Sequence, residues 1–493
     1  MHGVWNGGAS ARARRAAAEG RWRRAQLARR RRLTLRGRLT IAGGLLGIGL
    51  VIGWIVDPIS PVLAALERPD VPVGLPAVSA GAPPVRTPVE PPLVPEPVLA
   101  RLPITREALE LPSSAAAEGR SARLYEEVDV PAIAPDLAGP LRVEYSLDAE
   151  LTRHVFSVLR KGRVKLGNVV LLDPTTGRVL AYASTDLERF PPTRTYPAAS
   201  LVKIITAAAA LDLDPQTARL PCRYRGSPYR LTPSRIDPPE HGRTVSLRRA
   251  LATSNNQCFA QLAVHAVGQQ SLLDAIGRFG WLSVPAVAHA AGAAETGDER
   301  YDVGRLGCGL AGCRITPLHA AQLAASLVHG ELVTPRWIER VTDAEGRELR
   351  LPAPAAPRRV LPPDLTAELR SMLVDTTRSG TARSAFRDRR GRPLLGPVKT
   401  AGKTGSLSGK DPDGRYEWFI GVAPAESPRV AVATVLVQGD LWWRSASQVA
   451  ADVLRGVFCE KRACSEARAS RYIQVPSTTA ALATVPAALD EAP

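Results

Sequence analysis

Residues Leu39–Val56, LTIAGGLLGIGLVIGWIV, run for eighteen positions without a charge. As a helix rising ~1.5 Å per residue they would be about 27 Å long, enough to cross the hydrocarbon core of a bilayer. Trp54 lies near one end, where indoles favour the membrane interface. The 38 residues before this run carry twelve arginines against one glutamate, Glu19, a local charge of +11 within a formal +17 for the chain. The basic excess therefore belongs to a terminal tail and not to a folded face, which argues against nucleic acid as its partner. Positive charge flanking an apolar run keeps that side in the cytoplasm. The expectation is residues 1–38 as a basic cytoplasmic tail, 39–56 as one uncleaved transmembrane helix, and everything after it outside the cytoplasmic membrane. A cleaved signal peptide would have a short basic region and a small-residue cleavage site; neither is found.

Proline shapes the next stretch. Eleven prolines fall within residues 69–103, a density that forbids helix and sheet and favours polyproline II, with a reach of up to ~110 Å at ~3.1 Å per residue. Residues 57–139 read as a linker with a small lead-in, 140–460 as the folded domain, and the Ala/Thr/Pro-rich 461–493 as a mostly disordered tail.

Within 140–460 the apolar pattern alternates between strand and helix. Asn168–Asp173 and Arg178–Ala183 are apolar runs joined by Pro174-Thr175-Thr176-Gly177, a hairpin signal. Ala199–Leu213, Leu318–Leu327 and Leu365–Thr376 read as helices. Gly402–Leu407, Glu417–Ala423 and Val430–Gln438 read as strands, and Ser445–Val457 as a closing helix. Strands at both ends with helices between predict an α+β domain whose sheet is completed by N- and C-terminal parts.

The six cysteines all follow the apolar run. In an oxidising compartment an even count fits disulfides: Cys308–Cys313 and Cys459–Cys464 as local loops, leaving Cys222–Cys258. No histidine lies close to either C-x4-C pair, which makes them poor zinc knuckles; free thiols are the other alternative.

The chain has 57 arginines and only seven lysines. A lysine is irreplaceable where a cation must surrender its proton, since a guanidinium does not. Lys203 follows Ser200 by three positions at the start of a helical run, which puts both side chains on one face. A serine hydroxyl needs a base to become a nucleophile, and a desolvated lysine can serve. Alone, S-x-x-K is most simply a serine near a helix start and a solvated lysine. Two further triplets change the weighing: Ser254-Asn255-Asn256 before another apolar helix, and Lys403-Thr404-Gly405 on an expected strand.

The order S-x-x-K, S-x-N, K-T-G resembles the penicillin-binding proteins and serine β-lactamases. The resemblance extends over about residues 140–460, through YSLDAEL at Tyr145–Leu151, VLLDPTTGRVLAYAS at Val170–Ser184, RITPLHAAQLAASL at Arg314–Leu327, SGTA at Ser379–Ala382 and EWFIGVAP at Glu417–Pro424. Lys399-Thr400-Ala401 nearly duplicates the third motif. Lys403 is preferred because Gly402 precedes it as in the family and Gly405 leaves room for substrate against the strand.

The resemblance implies a three-layer α/β/α fold on an antiparallel five-stranded sheet, and D,D-transpeptidation of peptidoglycan stem peptides. Ser200 would be the nucleophile and Lys203 its base, with a pKa lowered by burial and by the Lys403 cation. Ser254 would relay a proton to the leaving amine, and Asn256 would hold the acyl chain's amide. Lys403 and Thr404 would bind the terminal carboxylate, alongside Gly405 and Ser406. The backbone N–H groups of Ser200 and Ser406 would form the oxyanion hole. It implies no cofactor and no metal, β-lactams as covalent inhibitors, and a glycosyltransferase or a membrane protein of the division or elongation machinery as partner.

Rival readings fare worse on the residues. AGKT at Ala401–Thr404 lacks the first P-loop glycine, since position 397 is Pro397. No G-x-S-x-G or H-E-x-x-H occurs. No E-x-x-L-N stretch lies between the second and third motifs, which disfavours efficient β-lactam hydrolysis. A non-catalytic scaffold of the cell-wall machinery would not need the Ser200/Lys203 pair. Carboxypeptidase or endopeptidase action on the same fold stays open.

Overall fold

In a computed structural model, residues 91–94, 123–128, 139–439, 443–461 and 463–473 are described; all lie in the unit Thr87–Pro493. The run Leu39–Val56 falls outside them. Among the described residues, no helix is long and apolar enough to cross a membrane.

The chain enters through β1 (Arg123–Val128) and β2 (Leu141–Asp148), which pair antiparallel. Helix α1 (Ala149–Lys161) follows, capped by Asp148, whose carboxylate accepts the Leu151 N–H at 2.8 Å. Then come β3 (Leu166–Leu172) and β4 (Val179–Ser184). A helical layer follows: α2 (Lys203–Leu213), α3 (Leu247–Ala252), α4 (Asn256–Leu262), α5 (Gln269–Arg278), α6 (Arg300–Cys308) and α7 (Pro317–Ser326). The strand β5 (Ile338–Thr342) joins β2. Helix α8 (Pro363–Arg378) leads to β6 (Ala401–Gly409), β7 (Gly414–Ala423) and β8 (Val430–Gln438), and α9 (Ala446–Phe458) closes the domain.

The central sheet has the order β6-β7-β8-β3-β4, every neighbour antiparallel. This is the expected α+β fold with a five-stranded sheet completed from both ends of the domain. Successive side chains of a strand point to opposite faces, and both faces are covered. Val170 and Leu172 join the core with Leu201, Ile204 and Ile205, whereas Val169 and Leu171 join Val155 of α1 and Val453 and Leu454 of α9. Burial on both sides is why these strands read as unbroken apolar runs and not as alternating ones.

Two expectations are corrected. The run from Ala199 is not one α-helix: Ala199–Val202 form a 3-10 turn and the α-helix begins at Lys203. Of the expected disulfides, Cys222–Cys258 and Cys459–Cys464 form, but Cys308 and Cys313 are free. Cys308 ends α6, and Cys313 opens a strand, Cys313–Ile315, that pairs with Tyr196–Pro197 and Ala293–Ala294. Burial pushes both thiols up, Cys313 to about 12.

Candidate active site

The first motif sits where the sheet edge meets the helical layer. Trp418 on β7 donates its indole N–H to Pro197 O at 2.8 Å, tying the start of the turn to the sheet. Ala199 takes φ +51°, a left-handed conformation that costs an alanine about 1–2 kcal/mol. The 3-10 turn then carries Ser200. With three residues per turn, positions i and i+3 eclipse, so Ser200 and Lys203 align more closely than an α-helix would allow. Lys203 Nζ lies 2.7 Å from Ser200 Oγ.

Lys203 is fully buried. Its Nζ also meets Asn256 Oδ1 at 2.7 Å, Cys308 O at 2.8 Å and Ser254 Oγ at 3.4 Å. The second motif supplies two of these partners. Asn255, not Ser254, caps α4, its Oδ1 accepting the Cys258 N–H at 3.1 Å. That leaves the Ser254 hydroxyl to the site, held there by a left-handed φ of +56°. Asn256, in the first turn of α4, donates its Nδ2 to Tyr229 O at 2.8 Å.

The third motif lies on β6, the edge strand. Lys403 Nζ donates to Ser254 Oγ at 2.9 Å and to Thr404 O at 2.8 Å. Ser254 Oγ therefore stands between two buried amines. Burial pushes Lys203 down to about 8 and Lys403 well below the lysine range, the latter also by repulsion from Lys203. Two buried amines sharing one hydroxyl favour a single positive charge between them. Gly405 abuts the nucleophile turn: a Cβ there would lie 3.2 Å from Ala198 O and 3.4 Å from Ala199 Cβ. The glycine thus lets β6 approach Ser200, a role that reasoning about substrate room alone does not supply. Ser406 is exposed, its hydroxyl receiving Arg415 Nε at 2.6 Å. The near-duplicate Lys399 is apart from this group, paired with Glu426 at 2.6 Å on the surface.

The eight expected residues thus come together: Ser200, Lys203, Ser254, Asn256 and Lys403 in one hydrogen-bonded network, with Thr404, Gly405 and Ser406 along the adjoining strand. Three contributors were not assigned from sequence. Cys308 offers a backbone carbonyl, which no motif reports. Thr381, within SGTA, places its hydroxyl 2.6 Å from that of Thr404 and its N–H 3.1 Å from Ala252 O. Gly309, at φ +76°, packs against Ala199. Of these only Thr381 left a trace in the sequence, as part of a quoted resemblance. His319 has a structural role: it completes the cap of α7 with Thr316, and burial pushes it down to about 4.

A cavity of about 750 Å³ lined by Arg389, Arg390, Arg392, Arg455 and Lys461 shares no residue with the site.

Residues 167–458 match the family model of the penicillin binding protein transpeptidase domain. The chain is 28% identical over 317 residues to the peptidoglycan D,D-transpeptidase PbpA of Mycolicibacterium smegmatis, covering 55% of this chain and 62% of that protein. It is 25% identical over 321 residues to the peptidoglycan D,D-transpeptidase FtsI of Escherichia coli K12, covering 60% of this chain and 51% of that one. The chain therefore spans less than two thirds of the length of these relatives. The crystal structure of PBPA from Mycobacterium tuberculosis superposes with a TM-score of 0.52 at 23% identity, over 64% of this chain and 81% of that one. A penicillin-binding protein A structure from the same organism, solved as an imipenem acyl-enzyme, gives 0.50 at 22%, over 64% and 79%.

Proposed function

The chain belongs to the penicillin-binding protein transpeptidase family, and from that premise we propose that it is a D,D-transpeptidase that cross-links peptidoglycan stem peptides through an acyl-enzyme on Ser200. The observation that carries this reading is the single buried amine of Lys203, 2.7 Å from Ser200 Oγ and bonded onward to the second motif.

Ser200 Oγ attacks the carbonyl of a D-Ala-D-Ala-type donor and passes its proton to neutral Lys203. The backbone N–H groups of Ser200 and Ser406 receive the developing oxyanion, each contributing about 3 kcal/mol. Ser254, between the two amines, hands a proton to the leaving D-alanine amine. Lys403 and Thr404 hold the donor's terminal carboxylate, and Asn256 the acyl chain's amide. An acceptor amine then attacks the ester and restores Ser200. Residues 140–460 form the catalytic unit, carried outside the cytoplasmic membrane by a helix at 39–56 and the linker 57–139, with a glycosyltransferase or a division or elongation membrane protein as partner. β-Lactams acylate the same Ser200, a reading supported by the M. tuberculosis penicillin-binding protein A solved as an imipenem acyl-enzyme complex.

Labelling with a fluorescent penicillin tests the assignment. Wild type should give a covalent band that Ser200→Ala abolishes; an undiminished band in the variant would remove Ser200 from its role. With a stem-peptide donor and a D-amino acid acceptor, exchange into the donor is expected. Release of free D-alanine with no exchange would make the enzyme a carboxypeptidase instead.

A further inference from the structure

We propose that the Cys222–Cys258 disulfide is a positioning device for the reactive centre: it pins the segment 223–230 against the second motif and thereby fixes which end of the Asn256 carboxamide faces Lys203. The inference rests on the reading of Ser200 and Lys203 given above and concerns what holds their partner in place.

A carboxamide has two ends of nearly equal shape and opposite polarity. In Asn256, Oδ1 accepts from Lys203 Nζ at 2.7 Å while Nδ2 donates to Tyr229 O at 2.8 Å. Rotating the group by a half turn would set an NH2 donor against the lysine, which has only donors when charged. The carbonyl of Tyr229 decides between the two orientations. The same segment holds the start of α4 at two more points. Pro228 O accepts the Asn256 N–H at 2.9 Å, and Gln257 Nε2 donates to Arg225 O at 2.9 Å and Ser227 O at 2.7 Å.

Other anchors of that segment are the short pairing of Cys222–Tyr224 with Arg243–Val245, Gln261 Nε2 on Arg223 O, and arginine side chains on Gly226 O and Arg230 O. Arg223, Arg225, Gly226, Ser227, Tyr229 and Arg230 are exposed; Tyr224 is its buried side chain. A stretch with few buried apolar contacts opens at low free energy. The covalent link from Cys222 to Cys258, two residues beyond Asn256, limits how far it can move away. A chain with both thiols reduced would fold yet acylate slowly. Closing the bridge removes two electrons and two protons from the two thiols and delivers them to a disulfide-carrying oxidant, which leaves as its dithiol.

The test follows acylation of the full chain by a fluorescent penicillin, against time and pH. Wild type is compared with Cys222→Ala/Cys258→Ala and with Cys459→Ala/Cys464→Ala, the control that removes the other disulfide. Loss of Cys222–Cys258 should slow acylation by up to about 100-fold. It should also move the acid limb of the pH profile to lower pH, because the Lys203 ammonium loses an acceptor that favours the charged form. The control should keep both the rate and the limb of wild type. If the first variant fails to fold, phosphine reduction of the folded control protein, with native far-ultraviolet dichroism retained, supplies the same comparison. An unchanged rate or an unchanged limb on loss of Cys222–Cys258 overturns the inference while leaving the nucleophile reading standing. Absence of labelling in wild type removes that reading and this inference with it.

Discussion

One buried nitrogen, Lys203 Nζ, reaches three side chains and a carbonyl, and this economy explains why a lysine persists in a chain that otherwise uses arginine. An arginine there would stay charged and leave Ser200 without a base. Thr381 shows what residue-level reading misses. Its hydroxyl bonds Thr404 and its N–H bonds the chain just ahead of Ser254, so it bridges the second and third motifs. Thr381→Val keeps the shape and removes the hydroxyl. The expected result is a three- to tenfold loss in penicillin acylation, from a hydrogen bond worth about 1 kcal/mol, with the melting temperature little changed. A variant with wild-type acylation would make Thr381 a bystander. The motif residues were legible because their chemistry lies in side chains at fixed spacing. Cys308 O and Tyr229 O were not, because a backbone carbonyl has the same signature at every position.

At the scale of elements, the strands were legible for a physical reason: a strand buried on both faces is apolar throughout, and Val430–Gln438 stands as expected from the pattern. The turn before α2 was not. An alanine-rich run predicts α-helix, whereas the sheet edge and the end of α6 hold Ala199–Val202 as a 3-10 turn with Ala199 at positive φ. Gly309 is what allows α6 to press on that turn: a Cβ there would sit 2.0 Å from Ala199 O and 3.0 Å from Ser200 N. Gly309→Ala should therefore cost about 1–2 kcal/mol of stability for its left-handed φ alone. It should cut acylation by about 100-fold through displacement of Ser200. Stability loss without loss of acylation would show that this contact does not set the nucleophile. The free Cys308 and Cys313 belong to the same region. Spacing suggested a bridge there, and the structure instead leaves both thiols free and buried at the end of α6 and the start of the next strand.

At the scale of the molecule, three stretches spread from Ser200 to Gly405 meet because the sheet is closed by both ends of the domain. The order of elements in the sequence carried that topology. The resemblance already put a buried Lys203 near Lys403; the structure adds that Ser254 Oγ lies between the two amines. Burial stabilises the neutral form of Lys203, so the fraction of competent base grows as pH rises through a value near 8. The most direct test is the rate of acylation by a penicillin, measured from about pH 5 to 10 for wild type and Lys203→Arg. The expected rate climbs along an acid limb centred near 8 and then levels, with no acylation in the variant. A wild-type rate independent of pH across that interval, or a Lys203→Arg protein that acylates as fast as wild type, would contradict it.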